Sequence, residues 1–189
     1  MPYVGQTITE VFPTSISVDT ATIATANISN QLTDANMSAG SVIQTIQTFK
    51  NDVFATSSTS YVDVTGLTAS ITPSSSSNKI LVLLRTTQSV YGDGFIKAKL
   101  LRGSTDIAVA NGKDYFTFNY PSRSGTDTNI YIAHGSQHLD FLDSPSSTSS
   151  TTYKVQILAG SGQTAAINRG RDNDQYRGVS SITLMEIAV

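Results

Sequence analysis

His134 and His138 stand four residues apart in the stretch IAHGSQHL and are the only histidines of the chain. In a strand, an even spacing puts both on one face unless Gly135 and Ser136 break the register. Three copies arranged about a threefold axis could then ring a metal ion with imidazoles, which are common transition-metal ligands. The plainer alternative is a pair of turn and strand-edge histidines bonded to backbone or water. A second concentration of chemistry is the run Arg169-Gly170-Arg171-Asp172-Asn173-Asp174. Asp172 and Asp174 begin like an EF-hand calcium loop, but the third oxygen ligand would fall on Tyr176 and the closing glutamate on Thr183, so both positions fail. Arg169 and Arg171 are better suited to salt bridges with another chain or to a bidentate grip on a carboxylate surface. Tyr115, Phe116, Phe118 and Tyr120 form an aromatic cluster that could stack on sugar rings or, equally in keeping with their type, fill a core or a subunit interface. The expected surface or partner contacts are therefore Tyr115, Tyr120, Arg169 and Arg171.

Catalytic signatures are missing from the sequence. No GxSxG elbow occurs, no paired glutamates suit glycoside hydrolysis, and there is no cysteine nucleophile. Gly92-Asp93-Gly94 and Gly160-Ser161-Gly162 are expected in hairpins rather than as phosphate cradles, since neither opens a helix. Asn27-Ile28-Ser29 and Asn36-Met37-Ser38 match glycosylation sequons, which acquire meaning only along a secretory route. The reading is a protein that is not an enzyme, with no catalytic residue, cofactor or metal site assigned.

Composition narrows the partners. The 189 residues include 26 Ser and 25 Thr, and only 14% are charged, against roughly 25% in an average soluble domain. Twelve Lys and Arg nearly balance fourteen Asp and Glu, so there is no broad cationic field for a nucleic acid. The longest apolar run, Ile80 to Leu84, is strand-sized and far below the ~18 residues that cross a bilayer as a helix. The opening MPYVGQTITE lacks the basic and apolar regions of a secretory signal. Neither nucleic acid nor membrane is an expected partner. Without cysteine, stability has to come from burial, backbone pairing or assembly. Twelve of the fourteen acids are Asp, which favours turns over helix surfaces, so few helices are expected.

The elements that would position these groups read as strands. Val42 to Phe49 is a first candidate. Leu67, Ala69 and Ile71 alternate with Thr68, Ser70 and Thr72, as in a half-buried antiparallel strand that stops at Pro73. After the loop SSSSN (74–78), Lys79 to Thr87 is apolar on both faces, as a central strand would be. Phe95 to Leu101 alternates with Lys97 and Lys99 on the wet side, and Arg102-Gly103-Ser104 turns into Ile107 to Ala110. Residues 111–129 read as polar and turn-rich. Ile130 to Ala133 and Gln137 to Leu142 read as two short strands, Tyr153 to Leu158 as another, and Gly160 to Gly178 as an irregular excursion before a last strand, Val179 to Val189. Eight or nine strands without a credible helix predict an all-β chain, a jelly-roll-like β-sandwich of about eight antiparallel strands at 41–189.

Residues 1–40 read differently. From Val18 the larger apolar residues Ile23, Ile28, Leu32 and Met37 recur at intervals of four or five, which fits neither a strand nor a helix. A stripe so sparse cannot bury itself, whereas identical chains wound together, or a chain laid along another protein, can cover it. An extended N-terminal arm is predicted, with Val18, Ile23, Ile28, Leu32 and Met37 as anchoring contacts.

Five segments carry a resemblance. They are MPYVGQT at the start, AGSVIQTIQTF (39–49), TSYVDVTGLTASITPSSSSNKILV (59–82), SPSSTSSTTYKVQILA (144–159) and SSITLMEIAV (180–189). In this order they resemble structural proteins of tailed bacteriophages, in particular those of cyanobacteria and other marine hosts. The resemblance implies a virion fibre or decoration protein with a trimeric β-sandwich head, built in the host cytoplasm, and carries no catalytic residues. It departs from long tail fibres in lacking a collagen-like or heptad shaft. The expectation is a homotrimeric capsid decoration or cement protein whose arm lies on the major capsid protein. The alternative is a short tail or head fibre whose arm plugs into a tail adaptor and whose head binds a host cell-surface glycan or protein.

Overall fold

The computed structural model describes residues 37–91, 95–109, 116–119, 133–170 and 177–189, with the backbone course alone for 116–119 and 133–134. The elements are β1 (Val42–Lys50), β2 (Phe54–Thr56), β3 (Val62–Ile71), β4 (Lys79–Tyr91), β5 (Phe95–Arg102), β6 (Thr105–Ile107), β7 (Phe116–Asn119), β8 (Ala133–Asp143), β9 (Thr151–Ala159), β10 (Thr164–Ile167) and β11 (Ser180–Ile187). They make two antiparallel sheets. One contains β1, β2, β4, β8, β10 and β11, and the other β3, β5, β6, β7 and β9.

The eleven strands reduce to eight columns. β11 pairs with residues 79–85 of β4 and β10 with residues 88–91, on the same edge, so β10 and β11 are one long strand interrupted by residues 168–179. β1 and β2 line the outside of β11 and β10 in the same way. β6 and β7 share one edge of β5. Numbered along the chain, the columns run 1-8-3-6 in the first sheet and 2-7-4-5 in the second. That double Greek key is the jelly roll.

Alternation decides which side of each strand goes inward. Ile80, Val82 and Leu84 of β4 and Ile182 and Leu184 of β11 face Ile96, Ala98 and Leu100 of β5 and Val155 and Ile157 of β9, all of them buried. Each of the Val, Leu and Ile side chains contributes about 1.5–3 kcal/mol when fully removed from water. Val64 and Leu67 both reach this core because β3 carries extra residues between Asp63 and Thr68. Gly66 takes φ +81° there, a left-handed geometry that side-chain-bearing residues rarely adopt.

Three expectations need correction. Ala133 and the expected strand Gln137 to Leu142 belong to one strand, because β8 runs unbroken through Gly135 and Ser136, held by eleven residues of register against β4, while 130–132 lie outside the described residues. Part of the expected turn-rich stretch 111–129 is a strand, β7, which fills the edge of β5 beyond β6. The expected excursion 160–178 contains β10, whose Thr164 to Ile167 continues the column of β11. The three-residue β2 has no counterpart in the sequence reading.

Candidate interaction surface

The first sheet turns an apolar patch outward. Register aligns Leu142 of β8, Leu81 of β4 and Met185 of β11 in one row across three strands. The next row holds Asp140, Leu83, Thr183 and Gln47, and the following one His138, Arg85, Ser181 and Phe49. Ile187 and Val42 pair at the near end, beside Lys79. Leu142 is 48% exposed, Val42 49% and Phe49 59%, and Leu81, Leu83, Met185 and Ile187 are half-buried. The sandwich core is on the opposite side of these strands, so nothing in the described head covers them.

The second sheet turns outward a polar ladder. Lys154 Nζ and Gln156 Nε2 both reach the Asp63 carboxylate, at 2.9 and 2.7 Å. The hydrogen bond from Lys154, with that from Gln156, holds the Asp63 carboxyl below the usual carboxylate range. Lys99 Nζ bonds Asp106 at 2.9 Å and sits 4.3 Å from the centre of the Tyr61 ring. Thr68, Ser70 and Thr72 complete the face, with Ser70 and Thr152 sharing a hydrogen bond. Cross-strand partners of this kind satisfy a face in water.

Two buried polar clusters tie the molecule at the end where β4 begins. Glu186, fully buried, accepts hydrogen bonds from Ser74 N at 2.7 Å, Ser74 Oγ at 2.6 Å, Asn78 Nδ2 at 2.8 Å and Gln44 Nε2 at 2.5 Å. Burial acts to raise its pKa, but the bonds from Asn78, Ser74 and Gln44 outweigh it and hold the carboxyl below its ordinary value. On the other side of Ile80, Asp143 receives Arg102 Nη1 on both oxygens, at 2.8 and 2.9 Å, and Tyr153 OH at 2.7 Å. Burial, then the bond to Asp143, pushes the Tyr153 phenol well above its usual pKa. Both clusters fasten elements together.

Four of the five segments that carry the phage resemblance lie in this network. Gln44 comes from AGSVIQTIQTF, Ser74 and Asn78 from the SSSSN loop of the 59–82 segment, and Glu186 from SSITLMEIAV. Tyr153, in the 144–159 segment, belongs to the neighbouring cluster. Each of these four segments therefore supplies a residue that fastens the jelly roll together.

Of the residues singled out in the sequence, His138, Arg169 and Met37 lie among the described residues. His138 faces outward from β8, and Arg85 Nε donates to its Nδ1 at 3.1 Å. Position 134 is an even step away on the same unbroken strand, and its side chain lies outside the described residues. Among the described residues, no group of three His, Cys, Asp or Glu is brought together. Arg169 and Arg177 form an isolated backbone bridge at the base of the 168–179 excursion. That base is set by Asn168, which takes φ +63°, donates from Nδ2 to the Lys50 and Asp52 carbonyls at 2.9 and 3.1 Å, and accepts from Ser180 Oγ at 2.6 Å. Gly178 lies so close to Thr87 that a Cβ would stand 2.4 Å from its methyl group. Met37 is half-buried just ahead of β1. Val18, Ile23, Ile28, Leu32, Tyr115, Tyr120, Arg171, Asp172 and Asp174 lie outside the described residues.

The apolar patch was not singled out in the sequence, although its signal is there. KILVLL is apolar at both parities and reads as a central strand. Centrality gives β4 two hydrogen-bonding neighbours, yet it covers neither face, so Leu81 and Leu83 require a second cover that Ile80, Val82 and Leu84 already have.

No protein-family model matches the chain, and no curated protein matches it. Among solved structures, that of the infectious bursal disease virus Gx strain is similar over 93% of this chain and 42% of its own, at 12% identity and a TM-score of 0.36. The VP2 subviral particle of infectious bursal disease virus is similar over 79% of this chain and 39% of its own, at 14% identity and a TM-score of 0.31. The chain thus spans about two fifths of the length of either, and its assignment as a jelly roll rests on its own strand order.

Proposed function

We propose that this chain is a non-enzymatic structural protein of a tailed-phage virion, a homotrimer that decorates the capsid. The observation that carries the reading is a jelly-roll head whose buried polar clusters are internal fasteners and whose first sheet turns outward an apolar centre of Leu81, Leu83, Leu142 and Met185. Large exposed apolar patches mark association surfaces, and buried clusters such as Glu186 with Ser74, Asn78 and Gln44 are built for rigidity. The phage-like segments support it, because their polar residues are the ones that lock the head together. Residues 1–40 are the anchoring arm of this proposal, with Val18, Ile23, Ile28, Leu32 and Met37 against the major capsid protein and the head projecting from the particle.

Quantitative mass spectrometry of purified particles tests the placement. Decoration predicts a copy number that matches the capsid lattice, whereas one that matches the tail or a single vertex would make the chain a short fibre. Co-sedimentation tests the arm. A chain lacking residues 1–38 should fail to bind particles that lack the protein, and binding equal to the full-length chain would remove the arm from the proposal.

A further inference from the structure

We infer that copies of this chain meet through the outer face formed by β1, β11, β4 and β8, an inference that rests on the oligomeric reading above and names the surface that carries it. The occupant of this face is a second copy of this chain, and charge is the reason. Asp140 on β8 is exposed, one row from Arg85 and two rows from Lys79 on the adjacent β4. Among the described residues, none of these three forms an ion pair, whereas Lys99 and Lys154 on the opposite sheet are each paired within the chain. The face therefore offers one carboxylate and two cations around an apolar centre, with no excess suited to a strongly acidic or basic partner. Another copy supplies both signs. A symmetric assembly can set Asp140 of one chain against Arg85 or Lys79 of the next while Leu81, Leu83, Leu142 and Met185 are covered.

The dimensions agree. Four strands at ~4.8 Å spacing and seven residues at ~3.4 Å rise give a projected area on the order of 450 Å². The whole face, its polar positions included, thus falls in the middle of the roughly 300–600 Å² found for the largest apolar patch on a monomer. Phe49, 59% exposed within this area, is its largest exposed apolar side chain, and the ~800 Å² per partner of a standard interface takes in the rim of the face as well. The register also limits the face. Toward the far end of β4, Thr87 is covered by Gly178, so the open patch is confined to the half that holds residues 79–85.

Sedimentation velocity of the full-length chain over a dilution series tests the inference. Wild type should assemble, and Leu142→Glu combined with Leu83→Glu should raise the midpoint concentration of assembly by about a hundredfold or more, with the β-sheet circular dichroism retained. Asp140→Arg alone should raise it by about tenfold, and adding Arg85→Asp and Lys79→Asp should restore much of the loss, a rescue that a folding defect cannot imitate. Thr68→Glu on the opposite sheet should leave it unchanged. A wild-type chain that stays monomeric at every concentration overturns the oligomeric reading and this inference together. An assembling wild type whose midpoint is moved by none of the variants on the first sheet overturns this inference alone and leaves the oligomer standing.

Discussion

The outer faces of the two sheets are made from the same number of columns and back onto the same core, yet they meet their surroundings differently. Along β9 and β3 the outward charges Lys154 and Asp63 pair with each other, and Gln156 also donates to Asp63. Along β4 and β8 the outward positions are Leu81, Leu83 and Leu142, with Asp140 and Arg85 among them. A face that completes its own hydrogen bonds and ion pairs is finished in water. A face of half-buried leucines is finished only by another surface. The contrast teaches that burial pattern within a sandwich locates the core, while polar satisfaction on its outer sides locates the partner.

The sharpest way to break the contrast is to compare neighbouring residues on the two sides of one strand. Leu184→Ala, inside, should cost about 2–5 kcal/mol of stability. Met185→Ala, one residue on, should cost under about 1 kcal/mol in the dissociated chain. Urea denaturation below the assembly midpoint measures both, and equal losses would mean that the outer face is already covered within the monomer.

A smaller effect is expected at the Glu186 fastener. Glu186→Ala leaves the donors of Ser74, Asn78 and Gln44 without their acceptor and should cost about 1–3 kcal/mol. Because the folded pKa lies below the unfolded one, the stabilisation is fully present above the ordinary carboxylate value of 4.5 and is lost as pH falls through the folded value. The wild-type melting temperature should therefore drop more steeply on acidification than that of Glu186→Gln, and parallel curves would show that Glu186 does not contribute to acid sensitivity.

On the polar ladder the effects should be smaller still. Lys154→Ala removes the cation that holds Asp63, but Asp63 is 53% exposed, so water screens the pair and the loss should stay within about 0–1 kcal/mol. A larger loss in thermal denaturation would make this face an energetic centre and erase its difference from the other. The smallest expectation is no change. Treatment with EDTA should leave the melting temperature unaltered, and a drop would assign a metal to the His134/His138 or Asp172/Asp174 positions.

Much of the fold can be read from local pattern. β3 and β9 announce themselves because Leu67, Ala69 and Ile71, and Tyr153, Val155 and Ile157, alternate over enough residues to mark one wet and one dry side. The short strands do not. β2 and β10 are three and four residues long, and their identity as strands comes from pairing with each other and with the far half of β4, more than seventy residues before β10 in the chain. Gly135 and Ser136 look like a break until β4 supplies a continuous ladder against them. The sites follow the same division. His138 and Arg169 are visible as residue types, but only the register shows that they flank opposite edges of β4.

By itself, then, the amino-acid order determined the all-β class, the approximate number of columns and the inward parity of the long strands, since these depend on side-chain alternation within a few residues. The tertiary structure decided that β10 and β11 are one interrupted column, that Glu186 gathers donors from two distant segments, and that the second apolar parity of KILVLL forms a surface patch. The physical reason is that backbone pairing and burial of a face are properties of neighbours across the sheet, and those neighbours are set by contacts between residues far apart in the chain.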